Sequence, residues 1–398
     1  MSRFRLPSFL LFFVLLLCCS LSWQLQAQDS YQPSPEDSTA NTALEENVSA
    51  LRIIRPANLD LRLSGYVDAY YARSSEEDNS PVNLWPAVGG RTATTALNIA
   101  QLTASINSER VRGKMTVQFG DLPEFTFPSR YQFLQEAYAG VRLHSQLWFD
   151  AGIFAPHIGV ESLLPKDNHL STLALPTYSE PFVQAGGRLN WTPNTRWFVG
   201  LHLLNGFGVV ESPNKNISPG LELRYHTNNT WQMGYNNQLA QRTTHQTLFY
   251  QNVWATYTRN RIELKASASY GNETNAKIDA PSQNGTIFSA LTSVQYKWKP
   301  TWKLAARIEY FDDKNGLLST GFLSPDGLSV SGPEMLGGSF GITYFPYTQC
   351  YFRLETRYLN SLNPTVEPFG NSWFNENDRS ARNRTEVLAT LGVKFGRS

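Results

Sequence analysis

A regular alternation of apolar and polar side chains runs through most of the chain and constrains its fold more than any other feature. The segment FLQEAYAGVRL, which begins at Phe133, places Ala137 and Val141 on one face and Glu136 and Arg142 on the other. A period of two residues is typical of a β-strand, because successive side chains point to opposite faces. The segment LWFDAGIF repeats the alternation after a three-residue turn. The two segments are therefore predicted to form a hairpin.

Connections between the alternating segments are of two kinds. Short turns of about three or four residues alternate with long polar loops such as 155–181 and 312–334. The segments number about 16, and both ends of the alternating region fall on the side of the short turns. An even number of long strands with this asymmetry of connections is typical of outer-membrane barrels. The sequence therefore predicts an all-β fold: a transmembrane antiparallel up-and-down β-barrel with short periplasmic turns and long extracellular loops.

Composition and strand length argue against the alternatives. Aromatic residues make up 13% of the chain and charged residues only 17%, so many rings need an apolar surface other than a small core. A soluble β-sandwich would also alternate, but its strands average about 5 to 6 residues, whereas a tilted membrane strand needs about 9 to 11. Past the N-terminus no run reaches the roughly 20 apolar residues of a membrane helix.

The N-terminal residues predict export. Arg3 and Arg5 precede the apolar run Phe9–Leu17, and cleavage after Ala27 would remove residues 1–27 as a signal peptide. A membrane anchor is disfavoured by the short run, and lipoprotein processing at the adjacent cysteines is disfavoured by the large residues before them.

The remaining chain is predicted to divide into two parts. Residues 28–58 are rich in Pro, Ser, Glu, Asn and Ala and are expected to form a flexible periplasmic segment, and residues 59–398 are expected to form the barrel. The mature chain would keep Cys350 alone and could form no internal disulfide. It would carry 32 basic against 33 acidic residues, because Arg3 and Arg5 leave with the signal peptide, so no nucleic-acid partner is indicated.

Charged faces of the strands are predicted to line the barrel interior. An Arg or Lys that faces lipid near the bilayer midplane costs about 2 to 4 kcal/mol, so such residues are expected to point inward. A barrel of about 16 strands leaves an aqueous channel unless something plugs it, and no plug domain is evident in the sequence. The excess of arginine among these residues favours anions. The predicted pore-lining residues are Arg112, Lys114, Glu136, Arg142, Arg188, Arg224, Lys265, Arg307, Glu309, Arg353, Glu355 and Arg357.

Two further groups of residues have positions that suggest a role. Four tryptophans flank two of the short turns, where amphipathic rings form an interfacial aromatic belt: Trp191, Trp197, Trp298 and Trp302. The third long loop, 155–181, is a candidate constriction loop that folds into the barrel; packing outside over the mouth is the alternative. The charged and histidine residues of this loop are His157, Glu161, Lys166, Asp167, His169 and Glu180.

Several segments together resemble a known family. The runs EAYAGVRL, LWFDAGIFAPHIGVES and GGRLNW, with Tyr178–Pro181 between them, are similar to the OmpL-like β-barrel porins of Gram-negative bacteria of the Bacteroidetes group. The segments GYVDAYY and RIEYF extend the resemblance over most of the mature chain. The resemblance implies an outer-membrane location and a porin-like role, and it brings no catalytic residues and no defined substrate. The ending departs from the usual terminal aromatic, because Gly396, Arg397 and Ser398 follow Phe395.

These features predict an outer-membrane porin for passive diffusion of small hydrophilic solutes or ions. A non-conducting barrel, acting as an adhesin or as a component of a secretion or assembly complex, is the alternative. The six histidines are scattered, so neither a catalytic triad nor a metal site is indicated, and no enzyme activity or cofactor is expected. Expected partners are outer-membrane lipid and lipopolysaccharide, the barrel-assembly machinery and the solutes. The choice between a monomer and a homotrimer stays open.

Overall fold

A computed structural model describes residues 59–75, 90–212, 214–227, 230–319, 321–324, 327–369 and 381–396. The predicted signal peptide 1–27 and the predicted flexible segment 28–58 lie outside these residues. Sixteen of the strands form one closed barrel. The strands are β1 (Asp60–Ser74), β2 (Thr95–Asn107), β3 (Val111–Phe119), β4 (Leu134–His144), β5 (Leu147–Phe154), β6 (Gln184–Trp191), β7 (Trp197–Leu204), β8 (Ser218–Thr227), β9 (Trp231–Gln241), β10 (Thr247–Arg259), β11 (Ile262–Glu273), β12 (Gly285–Lys299), β13 (Trp302–Asp312), β14 (Phe322–Leu323), β15 (Val330–Ser331), β16 (Glu334–Tyr347), β17 (Cys350–Ser361) and β18 (Asn383–Gly396).

The barrel strands follow one another in chain order, and each pairs antiparallel with its neighbours. β14 and β15 stand apart as a small hairpin in the connection between β13 and β16. β1 pairs with β18 from Ser64 opposite Gly396 to Ser74 opposite Glu386, which closes the cylinder. The prediction of an antiparallel up-and-down barrel of about 16 strands is confirmed.

Within the described ranges, the helices are short and lie in the connections between strands. They are α1 (Asp121–Thr126), a 3₁₀ turn (Pro165–Asp167) and α2 (Leu175–Tyr178). No helix among the described residues is long and apolar enough to cross a membrane.

The two faces of the wall differ sharply in polarity. In β13, Ile308 is 68% exposed, whereas its neighbours Arg307 and Glu309 are 2% and 1% exposed. The same alternation continues in β17, where Leu354 is exposed between buried Arg353 and Glu355. In a closed cylinder the exposed face is the outer one, so the apolar residues face lipid and the charges face inward.

Aromatic pairs mark the end of the barrel that carries the short turns. Trp197 pairs with Tyr225 and Trp302 pairs with Tyr344, each with ring centroids 4.7 Å apart. Trp191 and Trp298 are half exposed at the ends of their strands. These are positions where a belt of interfacial rings is expected, and the belt itself stays a prediction.

An apolar core lies inside the barrel toward the long loops. Leu248, Ile287 and Met335, from three wall strands, are fully buried there. Ile158 and Leu175 pack against them from the connection between β5 and β6. Leu317 and Phe369, from two other long connections, join the same core. The interior is therefore partly filled at the long-loop end by several connections.

Replacing Ile308 by Arg tests which face meets lipid. Because a lipid-facing Arg near the midplane costs about 2 to 4 kcal/mol, Ile308→Arg should lower the free energy of unfolding by that amount. Urea unfolding in lipid vesicles measures it, with Ile308→Ala as the control that removes side-chain bulk without adding charge. Equal stability of the Arg and Ala variants would contradict the assignment.

Candidate functional site

The connection between β5 and β6, residues 155–183, folds into the barrel and is called the inner loop here. It reaches the wall on the far side of the cylinder. Arg307 of β13 donates to the carbonyl oxygen of Thr172 at 2.6 Å, and Arg353 of β17 donates to the hydroxyl of Ser171 at 3.1 Å. Glu355 accepts the backbone N–H of Ser171 at 2.7 Å. The inner loop therefore spans the lumen between opposite walls.

A buried network of charges holds the inner loop in place. Arg307 lies 3.0 Å from Glu161 of the loop and 3.5 Å from Glu309 on its own strand. Glu309 also lies 3.4 Å from Arg357 and accepts the N–H of Leu175 at the start of α2. Removing one partner of such a buried pair costs about 3 to 5 kcal/mol, because a charge is left uncompensated. The anchorage therefore depends on every member being present.

Two histidines of the inner loop also pack against the wall. The ring of His157 stacks on His202 of β7, with centroids 4.1 Å apart, and its nitrogens contact Gln184 and the carbonyl oxygen of Asn237. Burial and the neighbouring imidazole lower the pKa of His157 to about 4, so this ring is neutral at pH 7. The second histidine, His169, contacts Ser293 of β12, and burial lowers its pKa as well.

A cavity of about 630 Å³ remains between the inner loop and the opposite wall. The wall is contributed by β1 to β4 and the end of β18, and it presents basic and amide side chains such as Arg62, Lys114 and Gln101. The loop side presents the carboxyl groups of Glu161 and Glu180. The wall also carries Glu136 and the loop also carries Lys166, so charges of both signs border the cavity on each side, with basic groups in excess on the wall.

The predicted pore-lining residues separate into three sets. Arg112, Lys114 and Glu136 line the cavity. Arg142, Arg188 and Arg224 lie on the inner faces of β4, β6 and β8, do not border the cavity and stack on aromatic rings. The others contact the inner loop or lie behind it: Lys265, Arg307, Glu309, Arg353, Glu355 and Arg357.

The candidate constriction residues are also divided. Glu161, Lys166, Asp167 and Glu180 border the cavity. The two histidines do not border it, since both are turned to the wall as described above.

Asp150 was not among the predicted site residues. It is fully buried and accepts from Arg112 at 2.6 Å, Arg188 at 3.0 Å and Asn190 at 2.7 Å. The alternation of LWFDAGIF does place Asp150 on the polar face, and an acidic residue among arginines is a signal for a shared partner. Its role as a common acceptor depends on the register of four neighbouring strands, β3 to β6.

Comparison with known proteins points to one family. The family model described as "Putative beta-barrel porin-2, OmpL-like" matches residues 60–395. No curated protein sequence is significantly similar to the chain.

Solved structures with a similar fold are outer-membrane proteins. The anion-selective porin from Comamonas acidovorans has a TM-score of 0.55 at 9% identity, covering 85% of this chain and 100% of that one. OmpF of Salmonella typhi, solved with daunomycin, has a TM-score of 0.55 at 15% identity, covering 86% and 99%. The trimer form of OmpT from Vibrio cholerae has a TM-score of 0.51 at 12% identity, covering 85% and 100%. At such identities the similarity concerns the fold alone.

Glu180 should give the channel a pH dependence. Burial and the nearby Glu161 raise the pKa of Glu180 to about 8, so its carboxyl group is mostly protonated at pH 7. The ordinary pKa of this carboxyl group is 4.5, so its protonated form is favoured in the folded protein over the whole range from 4.5 to about 8. The contribution of Glu180 to the stability of the docked loop is therefore full below about pH 4.5 and is lost as the pH rises through about 8. Between pH 7 and 9 the cavity should gain one negative charge, and the permeability ratio of cations to anions should rise.

Reversal potentials of the reconstituted protein measure this ratio. The isosteric variant Glu180→Gln should show no change in the permeability ratio across the same pH range. Identical titrations of the variant and the wild-type protein would show that another group is responsible.

Proposed function

Since the chain belongs to the OmpL-like beta-barrel porin-2 family and is an outer-membrane porin, we propose that it conducts solutes passively. Small hydrophilic solutes and ions diffuse through the barrel along the inner loop. The observation that supports this proposal is the cavity between the loop and the wall of β1 to β4, which is bordered by charged groups of both signs, with basic groups in excess on the wall and carboxyl groups in excess on the loop. Facing charges of opposite sign orient water and favour polar solutes over apolar ones.

The inner loop is proposed to set the narrowest part of the route. It occupies the half of the lumen in front of β10 to β17, where its apolar residues join the buried core and its polar backbone meets Arg307 and Glu355. Solute must then use the remaining half, between the loop and the opposite wall. A loop held by buried ion pairs gives a constriction of constant size. The largest solute that can pass should therefore be sharply defined.

The proposed role is that of a channel without catalytic activity. Among the described residues, no group of three or more His, Cys, Asp or Glu side chains could hold a metal ion. The stacked pair His157 and His202 is buried against Gln184 and Asn237. A homotrimer is part of the proposal, and its support is the fold shared with a protein that has a trimer form.

The alternative is a non-conducting barrel, and the extent to which the inner loop and core fill the lumen is the observation that favours it. Planar-bilayer recordings decide between the two. The refolded mature protein should give stable, ohmic conductance steps, and proteoliposomes should admit small sugars while excluding large oligosaccharides. A correctly folded, heat-modifiable barrel that passes no current would overturn the proposal.

Releasing the inner loop should enlarge the channel. Arg307→Met leaves Glu161 and Glu309 without their shared partner, which costs about 3 to 5 kcal/mol and weakens the docking of the loop. Single-channel conductance should increase and fluctuate more than in the wild-type protein. Lys215→Met removes an exposed positive charge from the connection between β7 and β8 and should leave the conductance unchanged. Unchanged conductance in Arg307→Met would contradict a constriction formed by this loop.

A further inference from the structure

The inner wall next to the short turns is strongly basic. Each barrel strand has two inward-facing positions closest to the short-turn end, and these positions form a band around the mouth. Only three residues of the band are acidic: Asp60, Asp150 and Glu263. Eleven are basic, and they are called the basic ring: Arg62, Arg112, Lys114, Arg142, Arg188, Arg224, Lys265, Lys297, Lys303, Arg353 and Lys394.

Strand register places these side chains on the inside. Lys394 pairs with Tyr66, and Arg62 pairs with Ser105; all four residues border the cavity. On the far side of the barrel, Lys265 pairs with Ser293, which contacts the inner loop. The basic ring therefore surrounds the lumen and adjoins the space proposed for solutes.

Protein carboxylates neutralise the basic ring only in part. Asp150 is shared by Arg112 and Arg188, and Asp60 pairs with Arg62. Lys114 and Arg224 reach acidic residues farther from the mouth, Glu136 and Glu222. Lys265 and Arg353 donate to backbone oxygens of the inner loop, which carry no charge.

Three members of the basic ring form neither an ion pair nor a side-chain hydrogen bond with any described residue: Arg142, Lys297 and Lys394. Lys265, Lys303 and Arg353 form no ion pair either, but each donates to a neutral oxygen. Lys297 also stands directly opposite Lys303 in the register of β12 and β13. Like charges directly opposite each other on neighbouring strands are destabilising. An anion bound between them would relieve this repulsion.

Aromatic rings hold several cations of the basic ring in place. The ring of Trp148 lies between Arg112 and Arg142, whose guanidinium carbons are 4.5 Å and 4.7 Å from its centroid. Arg224 lies 3.9 Å over Phe198 in the same way. A guanidinium that stacks through its face can still use its N–H edge, as Arg112 does toward Asp150. Arg142 keeps this edge for a planar carboxylate or a phosphate, which it can bind with two hydrogen bonds.

We propose that the basic ring binds multivalent carboxylates or phosphates at the periplasmic mouth and makes the channel selective for anions. This proposal rests on the proposed function, because an ion passing through the barrel must cross the ring. A charged ring with low-dielectric walls raises the local concentration of counter-ions. Monovalent anions pass, and an anion with three or more charges, which can contact several members at once, stays long enough to interrupt the current.

Bilayer recordings with citrate and tripolyphosphate test the proposal. In a potassium chloride gradient the reversal potential should show preference for chloride. Each probe added on the short-turn side should block the current at a concentration about tenfold or more below that needed on the loop side. Labelling of Cys350 with an impermeant maleimide identifies the short-turn side, since this cysteine begins β17. Block by tripolyphosphate alone would restrict the ligand to phosphates, and block by citrate alone would restrict it to carboxylates.

A matched pair of variants locates the effect. The triple variant Arg142→Gln, Lys297→Gln and Lys394→Gln should lose most of the chloride preference and the one-sided block. The control replaces three basic residues of the long loops, Arg130, Lys215 and Lys277, by Gln. It should keep both the chloride preference and the one-sided block.

Three outcomes distinguish this proposal from the proposed function. Absence of any conductance would overturn the proposed function and this proposal with it. Conductance with cation preference, or with block that is equal from both sides, would overturn the basic ring as an anion site and leave the porin function standing. Loss of block in the control variant but not in the triple variant would also overturn it.

Discussion

The peptide backbone finds no hydrogen-bond partner in hydrocarbon, and this constraint governs the whole molecule. Every N–H and C=O group within the bilayer must be satisfied by the protein, which for strands requires a closed cylinder. The pairing of β1 with β18 meets the requirement by removing the last free edges. Closure in turn fixes an inside and an outside, so each alternating strand must present one face to lipid and the other to the lumen. The positions of all the charged residues follow from that division.

Enclosing so many charges creates a second requirement. Arg307, Glu309 and Arg357 lie on the inner face with almost no exposure, and side chains of one wall cannot all pair with one another. The inner loop supplies the missing partners: the carboxylate of Glu161 and the backbone groups of Thr172 and Leu175. Loop and wall therefore stabilise each other. The proposed passage lies on the opposite side, where the wall of β1 to β4 faces the loop across the cavity.

Most of the barrel could be predicted from the sequence because a strand is a local pattern. Alternation fixes which residues share a face, and a shift by one residue would expose Arg307 to lipid in place of Ile308. Alternating long and short connections fix the side on which each turn lies. The family resemblance seen in the segments around Phe133–Trp191 is confirmed by a family model over residues 60–395.

The division of the lumen could not be predicted in the same way. The contacts that dock the inner loop join residues far apart in sequence: Thr172 and Arg307 have a sequence separation of 135, and Ser171 and Glu355 have one of 184. No local pattern indicates which of several charged inner faces a loop will cover. Arg307 and Lys114 therefore look equivalent in sequence, although one lies behind the loop and the other borders the cavity. The role of Asp150 depends in the same way on strand register.

Cysteine accessibility during conduction tests the central claim most directly, namely that solutes pass between the inner loop and the wall of β1 to β4. In a Cys350→Ser background, Ser105→Cys places a thiol on the cavity wall and Ser339→Cys places one behind the loop, where Ser339 accepts from Arg307. A negatively charged, membrane-impermeant methanethiosulfonate should reduce the current through the first variant rapidly and leave the second unaffected. Rapid modification of both thiols, or of the one at 339 alone, would contradict the account.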